Sequence, residues 1–211
     1  MDRSQNLLRT NVAVATGTAV SRLTGLARIV IFGIIIGQTA VADAYDGANN
    51  SPNSLYELLI GGVFSAALVP VFTRLIHDED DEGERAVIGT AITVLGLLTI
   101  VAVACAPLIF RVFSLHPASG IDVDLYRHVG TMLTRIFLVQ VFFYGLTALA
   151  SSALNARRRF AAAAWAPVGS NVVIIALLLC IPIAIDGKPT LETISTNDTA
   201  RWLLGMGATL G

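Results

Sequence analysis

Three stretches of this sequence carry no charged residue over lengths that few water-soluble folds tolerate: Ala86–Phe110 (25 residues), Ile136–Ala156 (21) and Phe160–Ile185 (26). A helix that crosses a bilayer needs about 20 such residues. Lipid satisfies no backbone polar group, so runs of this kind must close their hydrogen bonds internally, as helices do. Charged residues make up only 14% of the chain, against about 25% in ordinary soluble domains. The fold class is therefore all-α, a polytopic helical membrane protein with about six transmembrane helices. A soluble enzyme, a nucleic-acid binder and a disordered chain are excluded. The net charge of −1 points to no polyanionic partner, so no nucleic acid is expected.

Six helical segments are expected, at about 9–37, 40–76, 85–112, 125–156, 160–185 and 200–211. The second is too long for one span, because 37 residues at 1.5 Å each exceed about 50 Å. Pro52, preceded by Asn49, Asn50 and Ser51, predicts a kink or break there. His77–Glu84 (HDEDDEGE) and Asp186–Thr199 read as polar loops, and Arg157–Arg159 as a tight basic turn that anchors the topology near anionic headgroups. The first apolar segment contains Arg22 and Arg28 and lacks a small-residue cleavage pattern, so it reads as a retained helix rather than a leader. The last segment stops at Gly211 inside an apolar run, which predicts an amino-terminal piece of a longer protein. With a cytoplasmic amino terminus, seven arginines (Arg3, Arg9, Arg74, Arg85, Arg157–Arg159) fall inside and four basic residues (Arg111, Arg127, Lys188, Arg201) outside, the bias that favours this orientation. Cys105 and Cys180 sit in apolar runs and read as packed small hydrophobes. The sequence contains no CxxC and no Cys/His cluster, so neither a metal nor a cofactor is expected. His77, His116 and His128 fall at or near loops, where solvation is the ordinary fate.

The informative constellation lies in the first two helices. A cation at the centre of a membrane helix costs at least about 2.5 kcal/mol, so it must face a partner or a wet cavity. Arg22 and Arg28 are six residues apart, about 120° around the helix. Gly17, Ser21 and Gly25 form a ladder of small residues between and before them, continued beyond Ile29 by Gly33 and Gly37; such ladders let another helix approach closely. In the second helix Asp43, Asp46, Asn50, Asn53 and Glu57 follow one another at spacings of 3, 4, 3 and 4, which is one face of a helix. Gly61 and Ser65 extend that line. Two readings stand: the charges pair and hold a hairpin together, or they line a hydrated, cationic cavity that handles an anionic substrate. Arginine suits the second, since its planar fork donates two parallel hydrogen bonds to a phosphate. Arg135 suits a snorkelling or a cavity role, with Gln140 and Tyr144 further along, and Asn171 suits an interhelical hydrogen bond.

The order of several short motifs resembles the MurJ/MviN family. Ser21-Arg22-Leu23-Thr24-Gly25-Leu26-Ala27-Arg28 resembles its SRxxGxxR opening, Ala42-Asp43-Ala44-Tyr45 its TDAF-like second-helix start, and Pro52-Asn53 its PN step. Gly61–Pro70 resembles its EGAFSxAFVP block. Ala153–Ala156, Arg159-Phe160, Ala166-Pro167 and Asn171 resemble its ILNxxxRF…AP…N pattern.

The resemblance implies a flippase for lipid II, the undecaprenyl-pyrophosphate-linked peptidoglycan precursor. It implies a bacterial cytoplasmic-membrane protein of the MOP exporter superfamily, with two lobes around a cationic cavity working by alternating access. This chain would form most of the amino-terminal lobe. It further implies that Arg22 and Arg28 contact the pyrophosphate or the acidic peptide. Asp43 then gates or orients near the outer face, and Asp46, Asn50, Asn53 and Glu57 line the cavity with it. Where many family members carry an arginine, this sequence has Glu57, so the sign is reversed and the arginine's role does not carry over. Lipid II, membrane lipids and cell-wall synthesis proteins are the partners implied, with transport rather than catalysis as the activity. The alternatives are a flippase for another lipid-linked oligosaccharide and a non-transporting scaffold of the cell-wall machinery.

Overall fold

The computed structural model describes residues 3–57, 70–71, 73–75, 77–78, 81–115, 117, 119–156, 166–185 and 187–210. Among these residues the regular structure is helical throughout: α1 (Arg3–Ile35), α2 (Ala40–Tyr56), α3 (Asp81–Ala104), α4 (Ala106–Phe113), α5 (Val123–Leu138), α6 (Gln140–Ala156), α7 (Ala166–Ala184), α8 (Leu191–Thr196) and α9 (Asp198–Leu210). Three stretches are long and apolar enough to cross a membrane, Ala15–Ile35, Asp81–Ala104 and Val123–Ala150, and Val168–Ala184 is a shorter apolar helix. The chain is thus an all-α polytopic membrane protein. The Arg157–Arg159 turn, Gly61, Ser65 and His116 lie outside the described residues.

The chain divides into two compact units, one of residues 1–39 with 159–211 and one of residues 40–158. In the first, α7 packs against both α1 and α9. Ile174, Leu178 and Ile181 of α7 are buried there, with Ala200 and Leu204 of α9. Beyond α1 the chain turns at Gly37, whose φ of +71° is a left-handed conformation that glycine adopts without a Cβ penalty. A β-carbon on Gly37 would stand 3.2 Å from Lys188 Nζ, so the lysine tip lies over the carboxyl end of α1, where a cation is favoured.

In the second unit, α5 is central, packing against α2, α4 and α3, while α6 packs against α3 and α2. The Tyr45 ring meets Phe137 edge-on at 5.2 Å. Phe110 is buried beside Tyr126, ring centroids 5.6 Å apart. Leu95, Ala106, Leu138, Val141 and Ala148 form a second cluster. Asp122 caps α5, its Oδ1 accepting from the backbone N–H groups of Asp124 and Leu125, both at 3.0 Å. Asp122→Ala is expected to cost about 1 kcal/mol, read as a lower melting temperature of the purified protein.

Several local expectations differ from what is observed. The acidic run does not stay a loop: α3 begins at Asp81, and Asp81, Glu82 and Glu84 occupy its first turn, where negative charge favours the positive end of the helix dipole. The Asp186–Thr199 loop contains α8, started by Thr190, whose Oγ1 accepts from the Thr193 N–H at 3.1 Å. The third helix is interrupted at Cys105, just before Pro107, which has no N–H to continue the ladder. Conversely, of the kink or break expected at Pro52 the break is not there: α2 continues through it to Tyr56. Cys105 and Cys180 are also exposed rather than packed. Leu179 and Ile183 beside Cys180 are equally exposed, as residues on a lipid-facing side are free to be, since hydrocarbon covers them.

Candidate functional site

α2 separates its residues cleanly by chemistry. Val41, Ala44, Tyr45, Ala48, Ser51 and Pro52 are buried, recurring every three to four residues as one helix face. Asp43, Asp46, Asn50, Asn53 and Glu57 lie on the opposite side, and all five are exposed. The apolar face therefore anchors α2 to its own unit, and the acidic and amide groups project away from that unit. Pro52 leaves the Ala48 carbonyl without its usual donor, while the Ser51 hydroxyl donates to Gly47 O at 3.1 Å on the same buried side. Asn53 Nδ2 donates back to Asn49 O at 3.3 Å. Glu57 follows in a wider π turn, a geometry that recurs at functional positions. At that end Tyr56 meets Tyr144 edge-on at 5.5 Å. Tyr144 in turn donates its hydroxyl to Oε1 of the buried Gln140 at 2.7 Å. Gln140 and Tyr144 thus belong to the packing that supports the α2 end, whereas Arg135 is exposed on α5.

The two arginines lie on different sides of α1. Arg22 is exposed, in line with the exposed Leu26 and Ile29. Arg28 is half-buried and continues the line of Gly17, Ser21 and Gly25, all buried or half-buried. Within their own unit, and among the described residues, neither guanidinium has an acidic partner. The ladder of small residues does admit a neighbour. Asn171 of α7 is buried, and its Nδ2 lies 3.6 Å from where a β-carbon on Gly25 would be. That amide donates to Ser21 O at 3.2 Å and to Thr24 Oγ1 at 3.1 Å. The Thr24 hydroxyl itself donates into the preceding turn, toward Val20 O at 2.9 Å and Ser21 O at 3.1 Å. Gly33, further along the same ladder, faces open space.

Thr24 is the residue that sequence reasoning passed over. Its signal was its place on the small-residue side of α1 between Ser21 and Gly25, where a hydroxyl serves a buried amide. Arg22 and Arg28 belong to the first unit, and the polar line of α2 to the second. Chemically, α1 offers two guanidinium groups, each able to donate two parallel hydrogen bonds, and α2 an array of carboxylates and amides. Among the described residues, no group of three or more His, Cys, Asp or Glu side chains is placed to hold a metal.

Comparison with known proteins supplies the rest. Residues 32–211 match the family model described as Lipid II flippase MurJ. The chain is 34% identical over 176 residues to the lipid II flippase MurJ of Burkholderia cenocepacia, a match covering 81% of this chain and 33% of that protein. It is 32% identical over 177 residues to the probable lipid II flippase MurJ of Rhizobium meliloti, covering 82% and 33%. To the probable lipid II flippase MurJ of Vibrio cholerae it is 30% identical over 185 residues, covering 82% and 34%. The chain spans about a third of the length of these curated relatives.

Proposed function

The chain belongs to the lipid II flippase MurJ family, and on that premise we propose that it forms the amino-terminal part of a transporter moving lipid II from the inner to the outer leaflet by alternating access. The observation that carries this reading is the exposed acidic-polar line of α2, Asp43 to Glu57, set opposite a mostly apolar buried face. A membrane helix cannot turn such a line to hydrocarbon without heavy cost, so it faces water or a polar partner. A hydrated passage meets that demand along its whole length.

On α1, Arg22 and Arg28 capture the pyrophosphate or the acidic peptide of the headgroup by paired charged hydrogen bonds, while the lipid tail stays in the bilayer. Asp43 gates or orients near the outer face, and Asp46, Asn50, Asn53 and Glu57 line the route. Glu57 adds negative charge at a place where a cation would have added attraction, so headgroup capture falls to Arg22 and Arg28 within this part of the protein. The work is transport, without a covalent step. The protein sits in the bacterial cytoplasmic membrane with its amino terminus inside, among membrane lipids and cell-wall synthesis proteins.

The test is depletion of the full-length protein in its host, followed by treatment of intact cells with an external enzyme that modifies lipid II. Depletion is expected to leave lipid II on the inner leaflet, out of reach of the enzyme. Undiminished modification alongside failing growth would overturn the proposed cargo.

A further inference from the structure

α1 and α7 meet along a surface with little shape of its own. Gly17, Ser21 and Gly25 offer almost no side-chain relief, and small-residue contacts between membrane helices gain from close approach rather than from interlocking. A smooth contact of this kind resists separation better than it resists rotation. One residue of rotation turns a helix by about 100°, enough to carry an arginine from one environment into another.

Against that smooth surface stands a polar clasp. The Asn171 amide, 7% exposed, donates across the helix pair to Ser21 O and to Thr24 Oγ1, at 3.2 and 3.1 Å. The carbonyl it reaches belongs to the residue immediately before Arg22. The hydroxyl it reaches is itself tied to the preceding turn through Val20 O at 2.9 Å. Two acceptors three residues apart on one helix, held by one amide, define both the rotation and the axial position of that turn. A side chain longer than hydrogen at position 25 would stand against the amide, since a β-carbon there already comes within 3.6 Å of Asn171 Nδ2.

We propose that Asn171 is a positioning residue: by clasping Ser21 and Thr24 it fixes the rotation of α1 about its own axis and so aims Arg22. The inference rests on the reading that Arg22 meets the transported headgroup, but the clasp itself is testable without it. Apolar replacement of Asn171 frees α1 to rotate on the small-residue surface, and Arg22 leaves its azimuth while both helices remain inserted.

The experiment uses the full-length protein with every native cysteine, Cys105 and Cys180 among them, replaced by alanine and a single cysteine introduced as Arg22→Cys or, for control, as Leu115→Cys at an exposed position just after α4. Modification by a charged, membrane-impermeant thiol reagent is timed in right-side-out and inverted vesicles, with and without Asn171→Leu. The rate at position 22 is expected to change roughly three- to fifteenfold, the range that an interhelical hydrogen bond in a membrane supports, while the rate at position 115, outside α1, stays put. Thr24→Val, which removes one of the two acceptors and barely changes volume, is expected to give a smaller change in the same direction. It carries the test by itself if Asn171→Leu fails to accumulate. Asn171→Gln, which keeps the donors, is expected to restore part of the original rate. An unchanged rate at position 22 in both Asn171→Leu and Thr24→Val overturns the proposal. A shifted rate combined with normal lipid II translocation by Arg22→Ala upholds the clasp and removes Arg22 from headgroup binding, so the two ideas fail separately.

Discussion

Arg28→Ala in the full-length protein is expected to abolish its support of growth at normal abundance in the membrane. Arg28 is half-buried on the α7-facing line of α1 and has no acidic partner within its unit among the described residues. A guanidinium held in that state at membrane depth costs at least about 2.5 kcal/mol to insert, so its removal eases insertion rather than impeding it. The loss then falls on headgroup capture. One charged hydrogen bond lost to a phosphate weakens capture by about ten- to a hundredfold, and a bidentate pair by more. Arg28→Lys keeps the charge but not the fork and is expected to retain part of the activity. Growth at the normal rate with Arg28→Ala, confirmed by immunoblot of the membrane fraction, would remove this residue from the transport path.

The largest stability effect is expected at Gly130. A β-carbon there falls within the ring of Phe110, itself 1% exposed. The ring has little room to retreat, since Tyr126 flanks it at 5.6 Å and a β-carbon on Gly47 would stand 3.3 Å away. Gly130→Ala therefore pries α4 from α5, at a cost of about 1–3 kcal/mol for overpacking. Thermal unfolding of the purified protein in detergent reads this as a lowered midpoint. The double variant with Phe110→Leu, which opens space for the methyl, is expected to regain much of the loss, because residues in contact couple. An unchanged midpoint for Gly130→Ala alone would show that the ring moves aside freely.

The parts of the structure legible in the sequence are those whose signal repeats. The spacing of 3, 4, 3 and 4 from Asp43 to Glu57 placed five polar residues on one face of a helix, and all five are exposed on one side of α2. The small-residue ladder of α1 predicted a close neighbour, and Asn171 predicted an interhelical bond; both are met in the contact between α1 and α7. The misreadings come from residues whose chemistry serves two purposes. Acidic residues that suit a loop also suit the first turn of a helix, as at Asp81 and Glu82. A proline that often breaks a helix is accommodated at Pro52, while Pro107 sits just past the interruption at Cys105. The six residues of α8 are too few to show a period. Which helix answers α1 was not readable at all, because the sequence signal for a smooth interface names no partner.

That partnership has a consequence for how the protein is made. The Asn171–Ser21 bond joins residues 150 positions apart, and every residue of the second unit lies between them in the chain. At synthesis rates of about 5–20 residues per second, α1 leaves the ribosome roughly 8–30 s before α7. During that interval the helix carrying Arg22 and Arg28 resides at the translocon or in the bilayer without the partner against which it finally packs. In the meantime α2 to α6, all made between the two, are free to settle their own contacts. The contact between α1 and α7 closes only after them.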